Sequence, residues 1–242
     1  MKLNEADSVL YDTIVEAPIQ FEVDGQTFCL HPKSLGVIIL INRLRDKLGI
    51  DEENVAINPM LEMLRVCEKN KDTVLRMIAY CVLKEKNKIF NPHKVEKLMV
   101  FFGDNLANED MATLLAHILR DEHDTTRIIR GHFKIDEDLA DKMMLSKDKK
   151  SNTITFGGKT IFGTLFDFFA ERYGWTIHHM VWEMSYNNLL MMYYDHTDSV
   201  YLSDEERNHL SRGLQNRLAH RGEDVIMATK ENMEQIKNMG WR

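Results

Sequence analysis

The chain lacks any excess of positive charge: 31 lysines and arginines stand against 38 aspartates and glutamates, a formal net charge of −7. Such a balance sets up no standing field to attract a polyanion, so nucleic-acid binding is disfavoured. Long apolar runs are missing too. No stretch approaches the roughly 20 apolar residues that cross a bilayer, and the start, MKLNEADSV, carries acids where a signal peptide has an apolar run. The expectation is a cytoplasmic protein without a membrane partner. Cysteine is sparse: Cys29, Cys67 and Cys81 show no C-x-x-C spacing and lie within apolar patterns. They read as buried thiols in a reducing compartment rather than as a disulfide framework or a zinc site.

The settings that catalysis requires are also wanting. Gly157-Gly158-Lys159-Thr160 resembles the end of a phosphate-binding loop, but Thr153 occupies the position of the first glycine, so the nest of backbone N–H groups is incomplete. The alternation around it suits a hairpin turn. His117, His123 and His132 lie near Asp121, Glu122 and Asp124, and His178-His179 precedes Glu183, yet no H-E-x-x-H places two imidazoles on one helical face. His179 and Glu183, four apart, read as a surface hydrogen-bonding pair. There is no G-x-S-x-G elbow, and no cysteine beside a recognisable base. Acidic runs such as Asp51-Glu52-Glu53 and Asp204-Glu205-Glu206 are accounted for by helix-start electrostatics. No catalytic, cofactor-binding or metal-ligating residue is therefore assigned, and no cofactor is expected.

What the chain does have is apolar pattern, 44% of 242 residues, enough to build one large core or two modest ones. Ile19, Phe21 and Val23 alternate with polar residues, Asp24-Gly25 supplies a tight turn, and Phe28 and Leu30 alternate on the return, which predicts a β-hairpin. After His31-Pro32 the period becomes helical through Leu35, Ile38, Ile39, Ile41, Leu44 and Leu48, with Gly49 as the C-cap. Asn58-Pro59 opens a helix through Glu68, and Asp72 begins another carrying Val74, Leu75, Ile78 and Val82. Further helices are expected at 92–102, 108–120 and 136–145.

Ser146 to Asn152, SKDKKSN, holds no apolar side chain and reads as a linker. The expected organisation is mainly α: two small helical domains, 1–145 and 153–242, each preceded by a short hairpin, joined by 146–152. The second hairpin would use Ile154, Phe156, Gly157-Gly158 and Ile161, followed by a helix from Gly163 to Tyr173 stopped by Gly174. Thr176 would cap the next helix, and the stretch from Ser185 to about Asp195 reads as another. Ser203 with Glu206 forms a capping box ahead of Leu210, Leu214 and Leu218, and a weakly amphipathic segment from Thr229 to Trp241 ends the chain. Fifteen methionines suit either an irregular core or an adaptable binding face.

Trp175, Trp182, Tyr173, Tyr186, Tyr193 and Tyr194 crowd the second half. Amphipathic aromatics are preferred anchors of protein interfaces, so Trp175, Trp182, Tyr186 and Tyr193 are the expected partner-binding residues. Tyr173-Gly174-Trp175-Thr176, then Val181-Trp182-Glu183-Met184, Tyr186 and Asn188-Leu189-Leu190, resemble the C-terminal region of tail assembly chaperones of long-tailed bacteriophages. The leading hairpin, His31-Pro32 entering a helix, and Arg76-Met77-Ile78-Ala79-Tyr80-Cys81 follow the order of that family. The resemblance implies a non-enzymatic protein of the host cytoplasm that keeps the tape-measure protein soluble and recruits tail-tube subunits, with a possible homo-oligomer. It also implies that the first domain coats the tape measure and the second contacts the tube protein. Lys149-Lys150 could overlie the slippery codons by which such families make a longer form. A structural tail component, an adaptor or completion protein kept in the virion, is the alternative from another class.

Overall fold

The computed structural model describes residues 5–120, 122–147, 159–197 and 203, and these are mainly helical with one two-stranded hairpin. Helix α1 (Glu5–Ile14) precedes β1 (Ile19–Val23) and β2 (Gln26–Leu30). The hairpin is antiparallel with Val23 opposite Gln26, so Asp24 and Gly25 alone make the turn, at φ +48° and +69°. Positive φ at both positions is the type I′ geometry that matches strand twist, which is why Asp-Gly marks the site.

Helices α2 (Leu35–Arg45), α3 (Glu52–Ile57), α4 (Pro59–Lys69) and α5 (Lys71–Leu83) follow. Asn58 caps α4 as expected, its side chain accepting from the Met60 and Leu61 N–H groups with Pro59 at the first helical position. Asp51 does the same for α3, which the acidic run had only hinted at. α2 ends at Arg45, short of Gly49, whose positive φ of +57° serves the turn beyond the helix. Next come α6 (Lys86–Ile89), α7 (Pro92–Asn105), α8 (Asn108–Leu119), α9 (Glu122–His132) and α10 (Ile135–Lys147). α1 and α9 have no counterpart among the expected helices, because their few apolar residues gave no stripe to detect.

α4 packs on α8 and α5 on α7. The enclosed core holds Val66, Cys67, Val74, Met77, Ile78, Phe102, Met111 and Leu115, and the hairpin closes it with Val23, Leu30, Phe21 and Phe28. The Phe28 ring meets Phe102 edge to face at 4.9 Å between centroids. Each such fully buried apolar side chain contributes about 1.5–3 kcal/mol. Cys67 and Cys81 are buried and belong to no disulfide, and burial beside Glu68 pushes the Cys67 thiol up to about 11.

The expected division at 146–152 does not separate the halves. Helices α11 (Ile161–Tyr173) and α12 (Tyr186–Tyr194), with the π-helical turn His179–Glu183 between them, form a second core of Leu165, Phe169, Met180, Tyr186, Leu189 and Leu190 around Leu35, Ile38 and Ile39 of α2. Val37 and Ile41 of the same helix enter the first core. A helix apolar all round must be covered all round, and LGVIILI therefore needs both halves of the chain. Ser34 and Ser185 form an isolated antiparallel bridge, and the Tyr186 N–H donates to the Lys33 carbonyl at 2.9 Å.

Contacts group Met1–Asp136 with Asn152–His196 as one compact unit, and Glu137–Ser151 with Thr197–Arg242 as a second. Of the second, the described part is chiefly α10, whose last residues Ser146 and Lys147 had been expected in the linker. The second hairpin is corrected where it can be seen: Ile161 opens α11, and Thr160 caps it by accepting from the Gly163 N–H at 3.0 Å. Ile154, Phe156, Gly157 and Gly158, the helix after Ser203 and the segment Thr229 to Trp241 lie outside the described residues.

Candidate functional site

Helix α11 ends where Gly174 takes φ +68°, its N–H donating to the Ala170 carbonyl at 3.0 Å. A side chain is strained in that left-handed conformation, and glycine is not. The reversal folds Trp175 back onto α11. Its ring stacks on Tyr173 at 5.0 Å and on Phe169 at 5.4 Å with only 12° between planes. The series continues from Trp175 to His179 at 5.0 Å, and on the other side from Tyr173 to Phe168 at 6.4 Å and Phe168 to Tyr193 at 5.4 Å.

Phe169 anchors this ladder in the second core at 0% exposure, whereas Tyr173 is 40% exposed and Phe168, Trp175, His179 and Tyr193 are half-buried. Arg172 lies 5.8 Å from the Phe168 ring and 5.9 Å from Tyr173, adding cation–π support. Ile177, directly after the Thr176 cap, is 62% exposed. The surface is thus apolar in its stacked faces, with polar tips and a charged edge, the composition that gives rigid binding area at low entropy cost.

Two of the four expected partner residues, Trp175 and Tyr193, belong to this surface. The other two do not. Tyr186 is a core residue at 7% exposure, which corrects its expected role as a partner contact. Trp182 packs against the first core with its ring over Gly36, where an added Cβ would sit 2.7 Å from the ring carbons. Phe90 meets it edge to face at 5.7 Å, and the Lys86 ammonium lies 5.8 Å from its centroid. Trp182 is half-buried like Trp175 and Tyr193, but it lies apart from the ladder. Phe168, Tyr173 and His179, absent from the expected set, complete the ladder; the signal for them was Tyr173-Gly174-Trp175, an aromatic pair across a helix-stopping glycine.

The His179–Glu183 pair forms as expected, Nδ1 to Oε2 at 2.5 Å, with His178 Nε2 at 3.5 Å from the other oxygen. That hydrogen bond, ahead of the opposing effect of desolvation, holds the Glu183 carboxyl below its ordinary value. Among the described residues no group of three or more His, Cys, Asp or Glu side chains is placed to hold a metal ion, and no helix is long and apolar enough to cross a membrane. His117 is exposed on α8, and the ring of His132 packs edge to face on Phe133 at 4.7 Å.

Glu16 joins the ends of the compact unit. Its Oε1 accepts from the Ser185 N–H at 2.8 Å and from Asn188 Nδ2 at 3.4 Å, while Oε2 pairs with Lys84 Nζ at 3.1 Å. Burial raises its proton affinity, but the Ser185 N–H and the Lys84 ammonium outweigh it and hold the carboxyl below its ordinary value. Compared with known protein families, with curated proteins and with solved structures, the chain matches none.

Proposed function

We propose that this chain is a non-enzymatic assembly chaperone of a long-tailed bacteriophage, working in the host cytoplasm to hold the tape-measure protein and recruit tail-tube subunits. The observation that carries the protein-binding part is the half-exposed ladder Tyr193, Phe168, Tyr173, Trp175 and His179. Rings already stacked on one another lose little freedom when a partner covers them, so they can grip the apolar helical stripe of a tape measure, a different partner from the tube protein that the resemblance implies for this half of the chain. Their exposed area is small and one edge is charged, which keeps the grip weak enough for displacement by tube subunits. The phage assignment rests on the resemblance between Tyr173 and Leu190.

Co-expression of the full chain with the adjacent long helical protein tests the reading. Capture of that protein should fall by about 30-fold for Trp175→Ala or Tyr173→Ala, the size of a hot-spot loss near 2 kcal/mol. Both variants should keep the parental circular dichroism spectrum. Purified particles should lack the chain, whereas stoichiometric retention would make it a structural tail component. Equal solubility of the helical protein with and without this chain would sink the chaperone reading.

A further inference from the structure

Helix α1 ends at Ile14 in a Schellman-type reversal, with the Glu16 N–H donating to the Thr13 carbonyl at 3.2 Å and the Ala17 N–H to the Asp12 carbonyl at 3.0 Å. The reversal needs a left-handed residue, ordinarily glycine, and here Glu16 fills it at φ +51°. The end of α5 is tighter still. Lys84 takes φ +53° and ψ −50°, and the Glu85 N–H donates to the Leu83 carbonyl at 2.5 Å, the rare and strained form of the three-residue γ-turn.

Among the described residues four non-glycine residues have positive φ, and these two face each other: Lys84 Nζ lies 3.1 Å from Glu16 Oε2. Glycine at either position would make the turn without strain, but it would not make the pair. Glu16 also reaches further, its Oε1 accepting from the Ser185 N–H at 2.8 Å and from Asn188 Nδ2 at 3.4 Å at the start of α12. The same start is tied to Lys33 by the Tyr186 N–H and to Ser34 by the Ser185 bridge, both backbone to backbone. Glu16 holds it by a side chain, which lets go by a change of rotamer. Strained backbone persists only where its surroundings over-determine it, and it gathers at switch regions. Here the closed state keeps its charged hydrogen bonds against strain at two positions, so closed and open states differ by less than the bonds alone would give.

We propose that Glu16 and Lys84 form a strained strap across α1, α5 and α12, poised to release the start of α12 and uncover Tyr186 and Leu189 on the helix that carries Tyr193 of the aromatic ladder. Those two side chains are 7% and 1% exposed while the strap is closed. A partner that covers them once released shifts the chain toward the open state. The strap belongs to the chain alone, so its test needs no partner and its outcome is separate from that of the chaperone reading.

The test is amide hydrogen exchange of the full chain, read residue by residue, for the parent and for Glu16→Ala, Lys84→Ala, Glu16→Gly and Lys84→Gly. Removing either charge should speed exchange at Ser185 and Tyr186 by about tenfold or more, as the loss of a charge-assisted hydrogen bond implies, while Val66 and Leu115 of the first core exchange as before. Only the alanine variants keep the strain. Each glycine variant should therefore protect Ser185 and Tyr186 about fivefold better than alanine at the same position, the reverse of glycine's effect on ordinary backbone. An unchanged rate at Ser185 and Tyr186 in either alanine variant, or a rise spread evenly through the first core, overturns the strap. Glycine variants that exchange as fast as their alanine counterparts overturn the strain. If a Glu16 variant fails to fold, the Lys84 pair decides on the same two readings.

Discussion

At the scale of single residues, Glu62 shows how a carboxylate comes to be buried. It is 2% exposed, and its oxygens accept from the Asp51 N–H at 2.8 Å, Asn54 Nδ2 at 3.4 Å and Arg65 Nε at 2.7 Å. Arg65 in turn donates to the Gly49 carbonyl at 2.7 Å, so one ion pair fastens the turn after α2 to the start of α4. The Arg65 hydrogen bond, then the Asp51 N–H, hold the Glu62 carboxyl down at about 2 against the cost of burial. Because the folded value lies below the unfolded one, the stabilisation is complete above pH 4.5 and is lost as pH falls from there to about 2. Urea unfolding at pH 6 and pH 3 should therefore show a smaller loss of stability for Glu62→Gln than for the parent. An identical loss in both would contradict the latch. Nothing in the sequence distinguished Glu62 from its solvated neighbours, since Glu62 and Arg65 share a helix face like any surface pair.

At the scale of elements, the contact between α2 and the π-helical turn depends on a missing side chain. Gly36 lets the Trp182 ring come close to the helix backbone; a Cβ there would approach the indole carbons Cε3 and Cζ3 to 2.7 Å. Gly36→Ala should cost about 1–3 kcal/mol through overpacking, despite alanine's advantage of about 1 kcal/mol in a helix. With Trp182→Ala already in place the same change should become neutral or favourable, and a double-mutant cycle by chemical denaturation measures that coupling. Additive effects would show that the two residues do not meet. The helices themselves were largely readable, since Asn58-Pro59, Thr176 and the Asp24-Gly25 turn act within a few residues of where they stand. Even the terminating glycine Gly174 was identified, because its left-handed φ follows from local sequence. That Trp182 rests on Gly36 while Trp175 rests on Phe169 was not readable, since both are tryptophans at the start or middle of apolar stretches.

At the scale of the whole molecule, α2 serves two cores, and the residues after 159 complete the unit begun by the first 136. A chain truncated after Lys150 would leave Leu35, Ile38 and Ile39 without Leu165, Phe169 and Leu190. It should lose several kcal/mol, as when several buried side chains are deleted, bind a hydrophobic dye and aggregate. A soluble 1–150 fragment that unfolds cooperatively at the parental Tm would refute that dependence. The polar stretch SKDKKSN suggested a boundary because it can bury nothing, yet a polar connection can also return the chain to the core it left. What the sequence by itself determined is the mainly helical class, the hairpin and the caps, because turn dihedrals, i to i−4 bonding and cap geometry are settled by near neighbours. Only the tertiary structure decided that Tyr186 packs inside while Trp175, Trp182 and Tyr193 stay half-buried, and that Glu16 grips Ser185 across 169 positions of chain. Burial is fixed by which distant surfaces meet, and residue type does not carry that information.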